Sequence, residues 1–243
     1  MTAPVLIGCS HGTSDPAGRA AARALLDAVR AARPGLEVRE AFVDVQEPEV
    51  GSVVAGVVGQ GEPRDAVVVP LLLSAGYHVR VDVSESVRAR PTWSGRAAAA
   101  PALGPDPLLV DVALDRLAES GVGPDDAVVV AAAGSSRPEA GEDVEEFVAA
   151  LRRRRRGPVV VGYGAMARPT VAEAVATART GRPRVAVLSY LLAPGFFYDR
   201  VRAAGGDVVT RPLGPDPRIA DVVLDRYDRE VTRLRARPAR LPA

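Results

Sequence analysis

The sequence predicts an α/β protein of two tandem halves, each a parallel four-stranded sheet flanked by helices, and three observations carry that expectation. Apolar, β-rich runs alternate with helical patterns along the chain, the rhythm of βαβ units. The pentapeptide LGPDP occurs twice, at 103–107 and 213–217, each time followed by a related helix in which VALDRL answers VVLDRY. Working back from these anchors, the second half repeats the first element by element. The pattern is Rossmann-like in both halves, related by internal duplication, with boundaries near 1–120 and 121–243.

Taken in order, VLIGC reads as the first strand. Asp15 then supplies an N-cap and Pro16 the first helical residue, where its missing N–H costs nothing, and Pro34 and Gly35 end the helix. LEVREAFVDV is the second strand and PEVGSVVAGVVGQ its helix; DAVVVPLLLS is the third strand, followed by a helical stretch after His78. In the second half VVAAAGSSRP pairs with LIGCSHGTSDP, GYGAMARPTV with AFVDVQEPEV, and YLLAPGFF with LLLSAGYH. The alignment sets Gly12 against Gly134, Pro16 against Pro138, Pro48 against Pro169 and Gly76 against Gly195.

Composition narrows the function. The 243 residues are 47% apolar and 25% charged, which suits a folded chain with a real core. With 31 basic against 30 acidic residues there is no global field to recruit nucleic acid or an anionic membrane, and neither is expected as a partner. No lysine is present, which removes Walker A and Schiff-base chemistry. One cysteine, Cys9, forms no internal disulfide, the first residues lack an export pattern, and the apolar runs fall short of the roughly 20 residues of a membrane span, so a cytoplasmic location is expected.

Only two histidines occur, and they fall in comparable places: His11 in SHGTSDP after the first strand, and His78 in PLLLSAGYH after the third. Asp44 follows the second strand. In an open parallel sheet the loops beyond the strand carboxyl ends converge on the ligand, so His11, Asp44 and His78 are expected to share one pocket. Two imidazoles and a carboxylate suit a divalent transition ion such as iron or cobalt, and a neutral imidazole also takes a proton near neutral pH. Either histidine alone would read equally well as a polar cap on a strand end. The duplicate argues otherwise, because Ala133, Ala165 and Phe197 replace His11, Asp44 and His78 while the apolar and turn pattern is kept.

SHGTSDP, AFVDVQEP and PLLLSAGYHVRVDV resemble, in this order, the three motifs of class II chelatases, specifically the sirohydrochlorin chelatases that insert ferrous iron or cobalt in sirohaem or cobalamin biosynthesis. The resemblance extends over the whole chain, since long members of that family are tandem duplications with one active half. It implies a lyase that binds an anionic tetrapyrrole between the halves, delivers the metal through histidine, removes two pyrrole protons and needs no permanently bound cofactor. By motif, His11 is the base or metal ligand and His78 a ligand. Asp44 stands where many members carry glutamate, one methylene longer, which makes Glu47 the alternative metal contact. A poly-carboxylated ring asks for guanidinium groups: Arg80, Arg19, Arg168 and Arg200 are the candidates, together with Ser10 and Ser14 beside His11. A monomer or a homodimer fits equally.

Other signals weigh less. The run RRRRR at 152–156 closes a helix that starts acidic, which complements the helix dipole. GYGAMA echoes a dinucleotide fingerprint but follows the second strand of its half rather than the first. Cys9 reads as a small core residue. Two further functions stay open on the sequence alone: a non-catalytic tetrapyrrole or metal carrier on the same scaffold, and a histidine phosphohydrolase. The latter lacks the arginine needed just before the histidine, where Ser10 stands.

Overall fold

The computed structural model describes residues 2–59, 64–76, 79–88, 90, 93–181 and 184–236. The first sheet contains β1 (Val5–Ser10), β2 (Val38–Phe42), β3 (Ala66–Pro70) and β4 (Ala97–Ala99) in the order β2-β1-β3-β4. The second contains β5 (Ala127–Ala132), β6 (Val159–Tyr163), β7 (Val185–Tyr190) and β8 (Val208–Val209) in the order β6-β5-β7-β8. All pairings are parallel, with Gly8 opposite Glu40 and Val69, and Ala131 opposite Gly162 and Ser189. Parallel strands need cover on both faces, and the central strands β1, β3, β5 and β7 are accordingly continuous apolar runs.

The cover comes from α1 (Pro16–Ala32), α2 (Val50–Val58), α4 (Pro107–Glu119), α5 (Pro138–Arg154), α6 (Val171–Arg179), α7 (Phe196–Arg202) and α8 (Pro217–Ala236). A widened helical turn over Val79–Val83 runs into the short α3 (Ser84–Ser86). Asp15 caps α1 by accepting the Ala17 N–H at 2.8 Å, as the sequence predicts, with Pro16 as the first helical residue. The third strand stops at Pro70, earlier than its apolar run suggests. Its neighbour β1 ends at Ser10, so after Leu71 donates to the Cys9 carbonyl at 2.7 Å, Leu72 and Leu73 run on as a loop toward the second half.

The halves exchange their last helices. The α4 helix packs on β7 of the second sheet, and α8 packs on α1, β3 and β4 of the first. Equivalent arginines fasten the exchange. Arg116 of α4, only 2% exposed, donates to the carbonyls of Pro212 and Leu213 at 3.2 and 2.7 Å and pairs with Asp216 at 3.1 Å. Arg226 of α8 donates to the carbonyls of Ala102, Leu103 and Pro105 and pairs with Asp106 at 3.2 Å. Each LGPDP turn is thus held by the helix of the opposite half, and one apolar core runs through both sheets.

The arginine run behaves as its place at a helix end predicts. Arg152 donates to the Val159 carbonyl, Arg154 pairs with Asp111, Arg155 reaches the carbonyls of Gly123 and Asp126, and Arg156 pairs with Asp125. The GYGAMA segment sits at the end of β6, an edge strand.

Candidate functional site

The loops leaving β1 and β2 form one rigid unit. Ser10 ends β1 and its carbonyl accepts the Val43 N–H; the next carbonyl, of His11, accepts the Asp44 N–H, both at 3.1 Å. The Thr13 N–H donates to Gln46 Oε1 at 2.8 Å, and Arg19 Nε reaches back to the Thr13 carbonyl at 2.8 Å. Gly12 makes the close approach possible: its φ is +92°, and a Cβ there would lie 2.1 Å from the Asp44 carbonyl oxygen. His11 and Asp44 are therefore brought together by backbone contact, with the imidazole half-buried and the carboxylate exposed.

The second loop is tightly wound. Asp44 Oδ1 accepts the Val45 N–H at 2.8 Å, and Glu47 Oε2 accepts the Glu49 N–H at 3.0 Å. Glu49 caps α2 through the N–H groups of Gly51 and Ser52. The loop closes where Phe42 donates to the Pro48 carbonyl, after a cis Glu47–Pro48 bond. Val45 within it has φ of 64°, a left-handed backbone that costs a residue with a Cβ roughly 1–3 kcal/mol.

The second half repeats this frame. The Ala165 N–H donates to the Ala133 carbonyl, a Cβ on Gly134 would lie 1.9 Å from the Ala165 oxygen, the Arg168–Pro169 bond is cis, and Met166 has φ of 60°. Ala133 and Ala165 thus occupy the places of His11 and Asp44.

Each half also reaches into the other. The Ala75 N–H donates to Asp143 Oδ2 of α5 at 2.7 Å, and Gly76 faces Ser135. Buried Tyr190 donates to the Leu73 carbonyl at 3.2 Å. Reciprocally, Gly195 lies against Thr13 and Asp15, and the Pro194 carbonyl against Gly18. The loops after β3 and β7 therefore each dock on the opposite half.

Of the other sequence-predicted residues, Ser14 is exposed on the His11 loop, and Arg19 braces that loop from α1. Arg168 pairs with Glu173. Arg200 stands over the Phe196 ring, 5.6 Å from its centroid, on α7, the helix that follows the Gly195 turn meeting Thr13. His78 and the side chain of Arg80 lie outside the described residues. Among the described residues no cluster of three or more His, Cys, Asp or Glu side chains is arranged to hold a metal ion.

Cys9 is a core residue. Burial, reinforced by the negative charges of Glu49 and Asp82, pushes its thiol up to about 12, so the thiolate a metal would need is absent at neutral pH. Glu49 and Asp82, two carboxylates the sequence reading passed over, thus act through their charges on the core behind β1. Gln46, which ties the two loops, was also missed.

The CbiX family model matches residues 5–120 and again 127–230. A chloroplast sirohydrochlorin ferrochelatase of Arabidopsis thaliana is 29% identical over 125 residues, 46% of this chain and 56% of that protein, so the match spans little more than half the relative's length. Among solved structures, SirB from Bacillus subtilis with Fe3+ superposes with a TM-score of 0.73 at 23% identity, covering 94% of this chain and 95% of that one. The sirohydrochlorin chelatase SirB of Bacillus subtilis subspecies spizizenii, in complex with cobalt, gives 0.71 at 20% identity, covering 95% and 96%. No described helix is long and apolar enough to cross a membrane. With one copy of the family pattern in each half and the fold of its solved relatives along nearly the whole length, the chain belongs to the CbiX family.

Proposed function

We propose that this chain is a sirohydrochlorin chelatase, inserting ferrous iron or cobalt as a substrate into the poly-carboxylated macrocycle, and that it acts in the cytoplasm. The observation that carries this reading is the pairing of His11 with the Asp44 loop in one half of a family member whose other half keeps the same backbone with alanine at both places. A frame that needs neither side chain leaves them to chemistry. Residues 1–120 are then the working half, and 121–243 the degenerate half that completes the cleft.

Insertion of a divalent ion displaces two pyrrole protons, so the ring's charge is unchanged and the protein must supply a route for the ion in and for the protons out. A neutral imidazole does either task near neutral pH, and His11 and His78 are assigned to them. Asp44, Glu47 and the nearby Glu49 and Asp82 lower the cost of bringing a dication to the cleft, an effect of summed field rather than of a closed ligand cage. Arg19, bonded to the Thr13 carbonyl, Arg200 on α7 after Gly195, and Arg168 suit the ring's carboxylates.

The test is metallation of sirohydrochlorin followed by absorbance, with ferrous iron and cobalt compared. The wild-type chain should give many equivalents of product, and His11→Ala with His78→Ala should fall to the uncatalysed rate with an unchanged circular dichroism spectrum. Undiminished turnover in the double variant would reject the site. Product limited to one equivalent per wild-type chain would leave a carrier, the reading that the shorter Asp44 side chain motivates.

A further inference from the structure

The second half is not empty where its histidine is missing. A cavity of about 240 Å³ opens there, walled by Ser135, Ser136 and Arg137 ahead of α5, by Met166 and Arg168 after β6, and by Ser74 of the first half. Ser74 brings the loop after β3 of the first half to this cavity.

Its lining has two characters. Part of it offers the hydroxyls of Ser135 and Ser136 and the Arg137 guanidinium just ahead of a 17-residue helix, with Arg168, paired to Glu173, coming from the loop after β6. The lip is Met166, 75% exposed and held on a left-handed backbone. Its counterpart Val45 is 56% exposed in the same conformation, and Phe196 beside the opposite loop is 68% exposed. Within the cavity itself an exposed apolar side chain, Met166, shares the lining with the Arg137 guanidinium, which matches a ligand that is flat and apolar in its face and anionic at its rim. The volume is below the roughly 300–1,000 Å³ of a pocket that swallows a whole small ligand, so it takes an edge and not the entire ring.

We propose that this second-half cavity seats one carboxylated edge of the macrocycle, with Arg137 binding a side-chain carboxylate and Met166 covering the ring face. The proposal rests on the sirohydrochlorin reading and adds Arg137, Ser135 and Met166 to it as substrate-positioning residues. The degenerate half thereby orients the ring while the first half performs insertion.

The experiment measures KM and kcat, and the dissociation constant without metal, for sirohydrochlorin and for its fully esterified form. Arg137→Gln should raise KM and the dissociation constant about tenfold for the acid, the scale of one charge-assisted hydrogen bond, with little change in kcat. The same variant should bind the ester as the wild type does, whereas Met166→Ala should weaken both ligands. Both residues are outside the core, so loss of fold does not mimic these patterns. An unchanged KM in both variants, or an equal loss on acid and ester for Arg137→Gln, overturns the inference while the chelatase reading stands. Failure of the wild-type chain itself to metallate or bind sirohydrochlorin overturns the reading beneath it.

Discussion

Around residue 11 and around residue 133 the chain follows the same path. Each loop leaves its strand through a glycine at φ near +90°, accepts an N–H of the neighbouring loop at its carbonyl, and meets there a left-handed residue and a cis proline. The side chains on that path differ in kind: imidazole and carboxylate in one half, two methyl groups in the other. Elsewhere the reverse holds. Arg116 and Arg226 are retained in both halves, and each is buried in carbonyls of the opposite half. On the proposed function, duplication separates the residues that build the fold, which appear twice, from those that use it, which appear once.

The retained arginines should show the largest effect. Removing one partner of a buried, hydrogen-bonded ion pair costs about 3–5 kcal/mol, and here several backbone carbonyls are orphaned as well. Arg116→Ala and Arg226→Ala should each lower the denaturation midpoint by that order, and by similar amounts. A large cost for one and a negligible cost for the other would show that the helix exchange is held from one side only.

Next come the glycines. Gly12→Ala and Gly134→Ala both drive a methyl group into a carbonyl oxygen on a backbone that disfavours alanine, a cost of at least about 2 kcal/mol in either half. The comparison sharpens in activity. Gly12→Ala pushes the His11 and Asp44 loops apart and should abolish metallation, while Gly134→Ala should leave the rate per folded molecule at half or more of the wild type's, an order-of-magnitude expectation for a site away from the metal. Equal losses of metallation would mean that both frames serve the metal.

Much of this was legible in the sequence because duplication writes each structural requirement twice. The succession of strands and helices along each half, the paired glycines and prolines and the LGPDP anchors all follow from local rules of turn and period, and His11 and Asp44 stood out as residues without a twin. What stayed hidden depends on long-range packing. Nothing local says that the helix after LGPDP crosses to the other sheet, since an amphipathic stripe does not name the surface it covers. Gln46 and Glu49 were invisible because their roles are hydrogen bonds to loops and helix ends that exist only once the chain is folded. The second-half cavity was hidden for a related reason: Arg137 and Met166 look like ordinary surface residues until the duplicate frame sets them around a space.

A smaller asymmetry lies in the LGPDP turns. Asp106 is followed two residues on by Leu108, but Asp216 by Arg218, which donates to it through its backbone and its guanidinium. Burial alone would raise the Asp216 carboxyl; the hydrogen bonds from Arg218 and the charges of Arg218 and Arg116 more than offset this and hold it below the usual carboxylate range. A depressed folded value means that the stabilisation is complete above the unfolded pKa, about 3.9, and is lost as pH falls through the folded value. Asp216→Asn should therefore cost on the order of 1.5 kcal/mol at neutral pH, and should flatten the fall in stability below about pH 4. An unchanged acid limb in urea titrations would assign that fall to other carboxylates.

The smallest expected change in stability belongs to the residues with the largest expected chemical role. Ala133 and Ala165 demonstrate that alanine fits the backbone at both places, so His11→Ala and Asp44→Ala should each shift the unfolding free energy by no more than about 1 kcal/mol. His11→Ala should at the same time reduce kcat/KM by about a hundredfold or more, the scale of a lost acid–base group. The two readouts pull apart only if the imidazole is there for chemistry. A variant that unfolds readily and keeps its rate when folded would reverse the assignment, and would make the alanines of the second half an adaptation of that half's packing instead of a record of what the frame can do without.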